Sequence, residues 1–460
     1  MTDRTIAPYS AGVEETSTRA CLERIDTHNS TLKAMISVDA EGALASAREA
    51  DQAAREGRWL GLLHGVPTIV KDNIDPAGLR TTYGSKFFDN HVPNHDAPVV
   101  QRLRQAGAVI VGKATLQEFA FGIRSNNPVI GQCHNPWDEA RIPGGSSGGS
   151  GVTVAMDMCV AALGSDTGGS VRLPAALNGV SGLRPTVGRI PNTGSMPVCP
   201  TQDTIGPMAR TVADLARVFC VLAGPDGHDP LCVDQPLENF LPRLGEPLTG
   251  IRIGIPSNHY FEDAVPAIAT AVMDAARELE QLGAVLVDVE LPGAEDMQQL
   301  ATVIIYSDAC AVHAERLSSS PQTFDEQVLA RMRTGLDYSG VDYANAVRGR
   351  ALWKQQLAQV FTQVDVLLSP TIHTPVPFID DGLSLLDSTK NATRNTYLGA
   401  FAQLPSLSVP CGINNDGLPI GLQFESAWWR EPLLMQMGYA YQQVTDWHQS
   451  RPPLLRDQHA

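Results

Sequence analysis

Two glycine-flanked serines and one lysine carry the reactive potential of this chain. Gly144-Gly145-Ser146 opens the run GGSSGGSG, and Gly168-Gly169-Ser170 closes GSDTGGS. The largely apolar stretch Val152 to Gly164 separates them. A serine hydroxyl becomes a nucleophile beside a base, and a lysine serves as that base when burial or nearby positive charge lowers its pKa. Lys71 follows the apolar run Val66–Val70 in GVPTIVKDNID, at a strand end of the kind where α/β enzymes place functional groups. The histidines are poorer bases. His64 stands in a loop before a strand, His134 precedes Asn135-Pro136, and no GxSxG elbow accompanies them.

The glycines narrow the chemistry by elimination. A phosphate loop needs GxxxxGK[ST], and no lysine follows either run; GGSSGG does not match the dinucleotide pattern GxGxxG. A flexible linker would not be followed by so apolar a stretch. Glycine also lets a backbone approach a ligand closely. The segment GSDTGGSVRLPAALNG reads as a turn into a short helix ended by Gly179. Backbone N–H groups from Thr167 to Ser170 would then converge near the helix start, as an anion cradle or an oxyanion hole. A plain structural turn explains the same glycines, and a solvated surface lysine explains Lys71, so the pattern alone leaves both readings open.

The elements that must hold these residues alternate. Glu14 to Glu56 reads as helices, Ala-rich with apolar residues near helical spacing. A helical Pro98–Gly107 leads into the strand Ala108–Lys113, and similar helix-then-strand units recur at Ala275–Leu291 and Trp353–Pro370. This predicts an α/β fold, a large mixed central sheet covered on both faces by helices. The polar, Pro-containing segment Pro225–Phe240 is the best candidate boundary and reads equally well as a long surface loop. One domain over residues 1–460 is expected, with a helical N-terminal segment (1–60) packed on it.

Composition excludes other classes. The 460 residues are 43% hydrophobic and 18% charged, enough to bury a large core, and 34 basic against 50 acidic residues give a formal charge of −16. Without a Lys/Arg cluster, no nucleic-acid partner is expected. No stretch reaches the length of a membrane span and the N-terminus has no apolar signal core. The eight cysteines are scattered, without a CxxC pair or histidines at metal-ligand spacing. Free thiols in a cytoplasmic protein without metal are expected.

Taken together, in this order and spacing, GVPTIVKDNID, GGSSGGSG and GSDTGGSVRLP resemble the amidase signature family of serine hydrolases. Flanking segments extend the likeness: LHGVP at 63–67, NPWD at 135–138, GLRPTVGRIP at 182–191, SVPCG at 408–412 and LPIGLQ at 418–423. The resemblance implies that residues 61–215 carry the signature core and that Lys71, Ser146 and Ser170 form a Ser–cis-Ser–Lys triad. Ser170 is then the nucleophile, and Ser146, on a cis peptide after Gly145, passes its proton to Lys71. Thr167, Gly168, Gly169 and Ser170 supply the oxyanion hole, and Ser147, Asp166 and Arg172 support the loop. No cofactor is implied.

For the substrate, the family divides. Glutamine-hydrolysing subunits of tRNA-dependent amidotransferases resemble this chain around YANAVRGR (343–350), where Arg350 aligns with a carboxylate-binding residue, but Thr393 stands where their acidic amine anchor should be. Ser125-Asn126-Asn127 replaces their Thr-x-Glu-Asn run. The pocket expected here comprises Phe121, Gly122, Ile123, Arg124, Ile130, Arg350 and Tyr397, with Trp428 and Trp429 as a further aromatic wall. The expectation is a self-sufficient enzyme, monomer or homodimer, for small apolar or aromatic amides and N-aryl carbamates, as in aryl acylamidases and urethanases. The glutamine-hydrolysing subunit, or another partner-dependent amidase such as a urea-derivative hydrolase, is the alternative.

Overall fold

The computed structural model describes residues 14–456. Thirteen strands occur among them. In chain order they are β1 (Met35–Val38), β2 (Pro67–Lys71), β3 (Val109–Ala114), β4 (Asn126–Asn127), β5 (Gly131–Gln132), β6 (Ala161–Asp166) and β7 (Ser181–Arg184). There follow β8 (Thr204–Ala209), β9 (Arg252–Pro256), β10 (Val285–Val289), β11 (Val366–Pro370), β12 (Ser406–Ile413) and β13 (Pro419–Ser426). Strands β4 and β5 form a small hairpin, and the other eleven form one sheet in the order β1-β3-β2-β6-β8-β7-β12-β13-β11-β9-β10. The sheet is mixed, as expected: β2 runs parallel to β3 and β6, whereas β6, β8, β7, β12, β13 and β11 follow one another antiparallel.

Every residue of β2, β3 and β6 is buried, which is why these strands read as apolar runs rather than alternating ones. Alternation survives in which core each residue enters. Ile69, Val111 and Ala162 pack into one cluster of buried residues, and Val70, Ile110 and Leu163 into another. With both faces occupied, polar groups are confined to strand ends. Val70 pairs with Leu163 in the parallel register, so Lys71 and the end of β6, Ser165-Asp166, emerge side by side at the C-terminal edge of the sheet.

Two short helices bring the serines to that edge. Gly148–Ala155 follows Ser146-Ser147, and Arg172–Asn178 follows Ser170; all residues of both are buried. The second ends at Gly179 in the left-handed conformation (φ 70°), the C-terminal stop read from the sequence. The first lies so close to the β1–β3 edge that a Cβ on Gly149 would stand 2.4 Å from the Ala34 carbonyl oxygen and 2.6 Å from the Thr115 nitrogen.

One expectation changes, and one open alternative is decided. The helical reading of Glu14–Glu56 misses a strand: helices Glu14–Leu32 and Ala40–Arg55 flank β1, the antiparallel edge partner of β3. Asn29 ends the first helix by exchanging hydrogen bonds with the backbone of Met35, at 2.7 and 3.1 Å, and Asp39 caps the second. The segment Pro225–Phe240 is a surface loop rather than a boundary, because β9 and β10 beyond it complete the same sheet. Val233 N–H donates to the Gly188 carbonyl and Asn192 N–H to the Asp229 carboxylate, which hold the loop down.

The contact at Gly149 is with backbone, which cannot swing aside. Gly149→Ala is expected to destabilise the fold by about 2 kcal/mol in urea unfolding, as over-packing does. Gly245→Ala, whose Cβ would meet only Tyr439 at 3.8 Å, should stay within about 0.5 kcal/mol of the parent.

Candidate active site

Lys71 is wholly buried and donates from Nζ to Ser146 Oγ at 2.7 Å and to Ser165 Oγ at 2.8 Å. Asn73 Nδ2 donates to the same Ser165 hydroxyl at 3.1 Å, fixing its direction. Burial pulls the Lys71 ammonium down to about 7, against the opposing pull of Asp166 and Asp203. A neutral amine at this distance from a hydroxyl can take its proton. The Gly145–Ser146 peptide is cis. Ser147 N–H donates to the Ser170 carbonyl at 3.2 Å, so the two glycine-rich runs meet as expected.

The loop between β6 and the helix Arg172–Asn178 is organised by one carboxylate. Asp166 Oδ1 accepts from Gly169 N–H (2.7 Å) and Arg184 Nη1 (3.0 Å); Oδ2 accepts from Val171 N–H and Arg172 Nε (3.1 Å each). The two guanidiniums hold its carboxyl far below the usual range despite complete burial. The supporting role expected of Asp166 and Arg172 thus has a geometric basis, with Arg184 as a further member. Ser147, also fully buried, donates from Oγ to the Ser165 carbonyl. Gly169 N–H is already committed to Asp166, so of the four expected oxyanion donors Thr167, Gly168 and Ser170 remain. Gly168 admits no side chain: a Cβ there would lie 2.3 Å from Tyr397 Cε1.

Thr167 is fixed from the other side. Its hydroxyl donates to Asp203, whose second oxygen accepts from Val198 and Cys199 N–H at 2.8 and 3.0 Å. Burial pushes the Asp203 carboxyl up to about 6. Two clefts flank this wall. One contains Ser170 and is lined by Phe121, Gly122, Ile123, Ile305, Arg331 and Tyr397 among others; the second reaches Asn73, Ser165 and Asp203. Thr167 and Val198 line both.

Four of the expected pocket residues therefore border the Ser170 cleft: Phe121, Gly122, Ile123 and Tyr397. Three do not. Arg124 is occupied by Asp381, Ser388, Gln327 and the Leu383 carbonyl. Ile130 lies in the turn between β4 and β5. Arg350 donates to Thr201 Oγ1 and Gln202 Oε1 at 3.1 and 3.2 Å. Trp428 and Trp429 are likewise absent from the lining. Sequence reasoning missed Arg331, which is 4% exposed and borders the cleft. Its Nε donates to the Tyr306 hydroxyl at 2.8 Å, its guanidinium lies 3.8 Å from the Phe121 ring centroid, and no carboxylate among the described residues pairs with it. Ser165 and Asp203 were missed too. Among the described residues no group of three or more His, Cys, Asp or Glu could hold a metal, and no helix is long and apolar enough to cross a membrane.

The family model described as Amidase matches residues 16–435. The chain is 39% identical to a subunit of the glutamyl-tRNA(Gln) amidotransferase of Chloroflexus aurantiacus, over 95% of this chain and 94% of that protein. Among solved structures it is similar to one described as an unexpected vestigial protein complex that reveals the evolutionary origins of an s-triazine catabolic enzyme (33% identity, TM-score 0.89, 94% and 95% of the two chains). It is also similar to a peptide amidase in complex with the competitive inhibitor chymostatin (34% identity, TM-score 0.83, 96% and 95%). These findings correct two expectations. The likeness does not favour stand-alone amidases over amidotransferase subunits. The expected monomer or homodimer acting on a small molecule, with no nucleic acid involved, is overturned: the curated relatives are named as subunits of an enzyme named for a tRNA.

The depressed Lys71 pKa has a measurable consequence. Between about 7 and the ordinary value of 10.5, the unfolded chain holds a proton that the folded one lacks, so folded stability rises with pH across that window. The stability advantage of Lys71→Met over the parent is expected to be largest below pH 7 and to shrink by about 1.4 kcal/mol per pH unit above it. Paired urea titrations from pH 6 to 10 would measure it, and a pH-independent difference would rule out the depressed pKa.

Proposed function

The chain belongs to the amidase family, and on that premise we propose that it hydrolyses the C–N bond of a carboxylate-bearing amide through an acyl-enzyme on Ser170. Glutamine is the first candidate, with the chain acting as the amide-hydrolysing subunit of an amidotransferase-type assembly. One observation carries the substrate class. Arg331 is a buried guanidinium without a carboxylate partner in the cleft that contains Ser170, and a buried cation left unpaired is costly unless a ligand supplies the anion. The identity to amidotransferase subunits over nearly the whole chain supports the same reading.

In the mechanism proposed, Ser170 Oγ attacks the amide carbonyl while its proton passes to Ser146 Oγ and the Ser146 proton to neutral Lys71. The 2.7 Å Lys71–Ser146 hydrogen bond supports this direction of transfer. The oxyanion is received by N–H groups of Thr167, Gly168 and Ser170; each such donor contributes about 10²- to 10³-fold in rate. The relay then runs backward, delivering the proton to the departing nitrogen, and the C–N bond breaks. Water, deprotonated through the same path, attacks the acyl-enzyme and releases the acid and free Ser170.

One observation favours a second reading within this class. Thr389 and Thr393, rather than an acid, border the cleft beside Tyr397, so the cleft offers a substrate ammonium group hydroxyls but no carboxylate. That suits an amide acid without an α-amine. Aryl amides and N-aryl carbamates have less support, because the apolar lining of Phe121, Ile123 and Ile305 ends on a guanidinium.

Ammonia release from glutamine, glutaramate and glutaramide separates these readings, with Ser170→Ala as the blank. Both carboxylate-bearing amides are expected to be hydrolysed, glutaramide about 10²-fold less efficiently, and Arg331→Gln should erase that preference mainly through KM. Equal turnover of glutaramide would sink the assignment of Arg331. Since Lys71 must be neutral to accept the proton, kcat/KM should rise with pH and level off above about 7. Ser146→Ala, Ser170→Ala and the double variant should lose nearly the same activity, as members of one unit do.

A further inference from the structure

The turn before β8 carries a carboxylate whose place the Ser170 relay does not explain. Asp203 is 8% exposed, and no Lys, Arg or His among the described residues lies within ion-pairing distance of it. A buried carboxylate without a paired cation is costly. Only hydrogen bonds meet it here: the Thr167 hydroxyl on one oxygen, and the Val198 and Cys199 N–H groups on the other. The turn itself is closed by other bonds. Gln202 and Asp203 N–H both donate to the Cys199 carbonyl at 2.8 Å, and Asn192 Nδ2 donates to the Asp203 carbonyl at 3.1 Å.

What the carboxylate adds is a hold on Thr167. Two consecutive residues grip that threonine: Gln202 Nε2 donates to its carbonyl at 3.0 Å, and Asp203 accepts from its hydroxyl. A β-branched side chain has few rotamers, so fixing the hydroxyl and the carbonyl also fixes the direction of the residue's own N–H. The neighbouring residues are set by different partners. The Gly168 carbonyl accepts from Thr396 Oγ1 at 2.6 Å, and Gly169 N–H is tied to Asp166. Thr167 is therefore aimed from outside the loop between β6 and the helix Arg172–Asn178. The same carboxylate anchors Val198, which lines both clefts as Thr167 does.

We propose that Asp203 is a positioning residue for the acyl transfer: its carboxylate holds the Thr167 hydroxyl and so aims the Thr167 N–H at the oxyanion. The inference rests on the reaction proposed above, in which that N–H is one of three donors. A hydrogen bond weakens steeply as its angle closes, and a misplacement of about 1 Å in a reacting site costs about 10²-fold. The carboxylate also acts through space. Asp166 and Asp203 are the two anions that favour the Lys71 ammonium against burial. The charged and titratable groups around Asp203 come from several elements. Arg184 of β7 favours its ionised form, Asp166 is itself paired with Arg172 and Arg184, and the Cys199 thiol belongs to the same turn. His228 and Asp229 border the second cleft with it.

The test compares Asp203→Asn, Thr167→Val, their double variant and Thr167→Ser in the full chain. Two rates are read: ammonia release from glutamine and glutaramate, and labelling of Ser170 by a fluorophosphonate, followed by intact mass. The label needs the same oxyanion contact but no amide. Asp203→Asn and Thr167→Val are each expected to lower kcat and the labelling rate about 10-fold with little change in KM. The double variant should lose no more than either alone, and Thr167→Ser, which keeps the hydroxyl, should recover most of the loss. In Asp203→Asn the rise of kcat/KM should also move to lower pH, because an anion that favours the Lys71 ammonium is gone; a merely structural defect leaves it in place. Parent-like rates in Thr167→Val, losses that multiply in the double variant, or an unmoved pH profile in Asp203→Asn overturns the inference. Slowed labelling in variants of a chain that releases no ammonia from either amide overturns the proposed reaction and leaves the hold on Thr167 standing. Far-UV circular dichroism checks the fold of each variant, and the two Thr167 variants carry the test where Asp203→Asn does not fold.

Discussion

Everything at the reactive edge of the sheet hangs on the Asp166 carboxylate. It is fully buried, and so are the two arginines that face it. Through Arg172 it reaches the Thr396 carbonyl (2.9 Å) and Gln423 (3.2 Å), and through Arg184 the Gln202 carbonyl (2.8 Å). One anion thereby gathers β6, β7, β13, the helix Leu385–Phe401 and the loop before β8. Water would do this badly, because it would screen the pairs and compete for the same donors. In the dry interior the pairs are strong only while all of them are satisfied. The shape of the loop around Ser170 is therefore an electrostatic product of the core rather than a local property of glycine.

How far the residues announced this depends on how local each signal is. The serine runs were legible because glycine spacing and the apolar stretch between them are local in sequence, and Lys71 because it follows an apolar strand. Much else was not local. β1 has four residues between two helices and owes its existence to pairing with β3. Arg331 lies on an ordinary amphipathic helix, Glu326–Arg333, and only tertiary packing brings it to the cleft that contains Ser170. Arg350 was read into the pocket because it aligns with a carboxylate-binding residue of amidotransferase subunits, yet hydrogen bonds to Thr201 and Gln202 hold it outside the Ser170 cleft. Ser165 faces Lys71 through the register of two parallel strands, which is invisible in either strand alone.

The same limit applies to partners. An acidic chain without a basic patch reads as indifferent to nucleic acid, and an intact Ser–Ser–Lys set reads as self-sufficient. Both inferences treat the chain as its own assembly. Surface charge averaged over one chain says nothing about a second subunit that carries the contacts, and an intact reactive group says nothing about where its product goes. The relatives supplied what composition could not.

Thr167 and Val198 stand between two clefts, one containing Ser170 and the other reaching Ser165, to which Lys71 donates. The residues that shape the room on either side, such as Ile305, Arg331, Thr393 and Leu231, come from segments far along the chain from the two serine runs. Chemistry and accommodation are thus encoded only partly together, with Thr167 serving both. Such a layout lets the room around Ser170 be redrawn at Val198 and a few distant walls while the loop that carries Thr167 and Ser170 is left as it is.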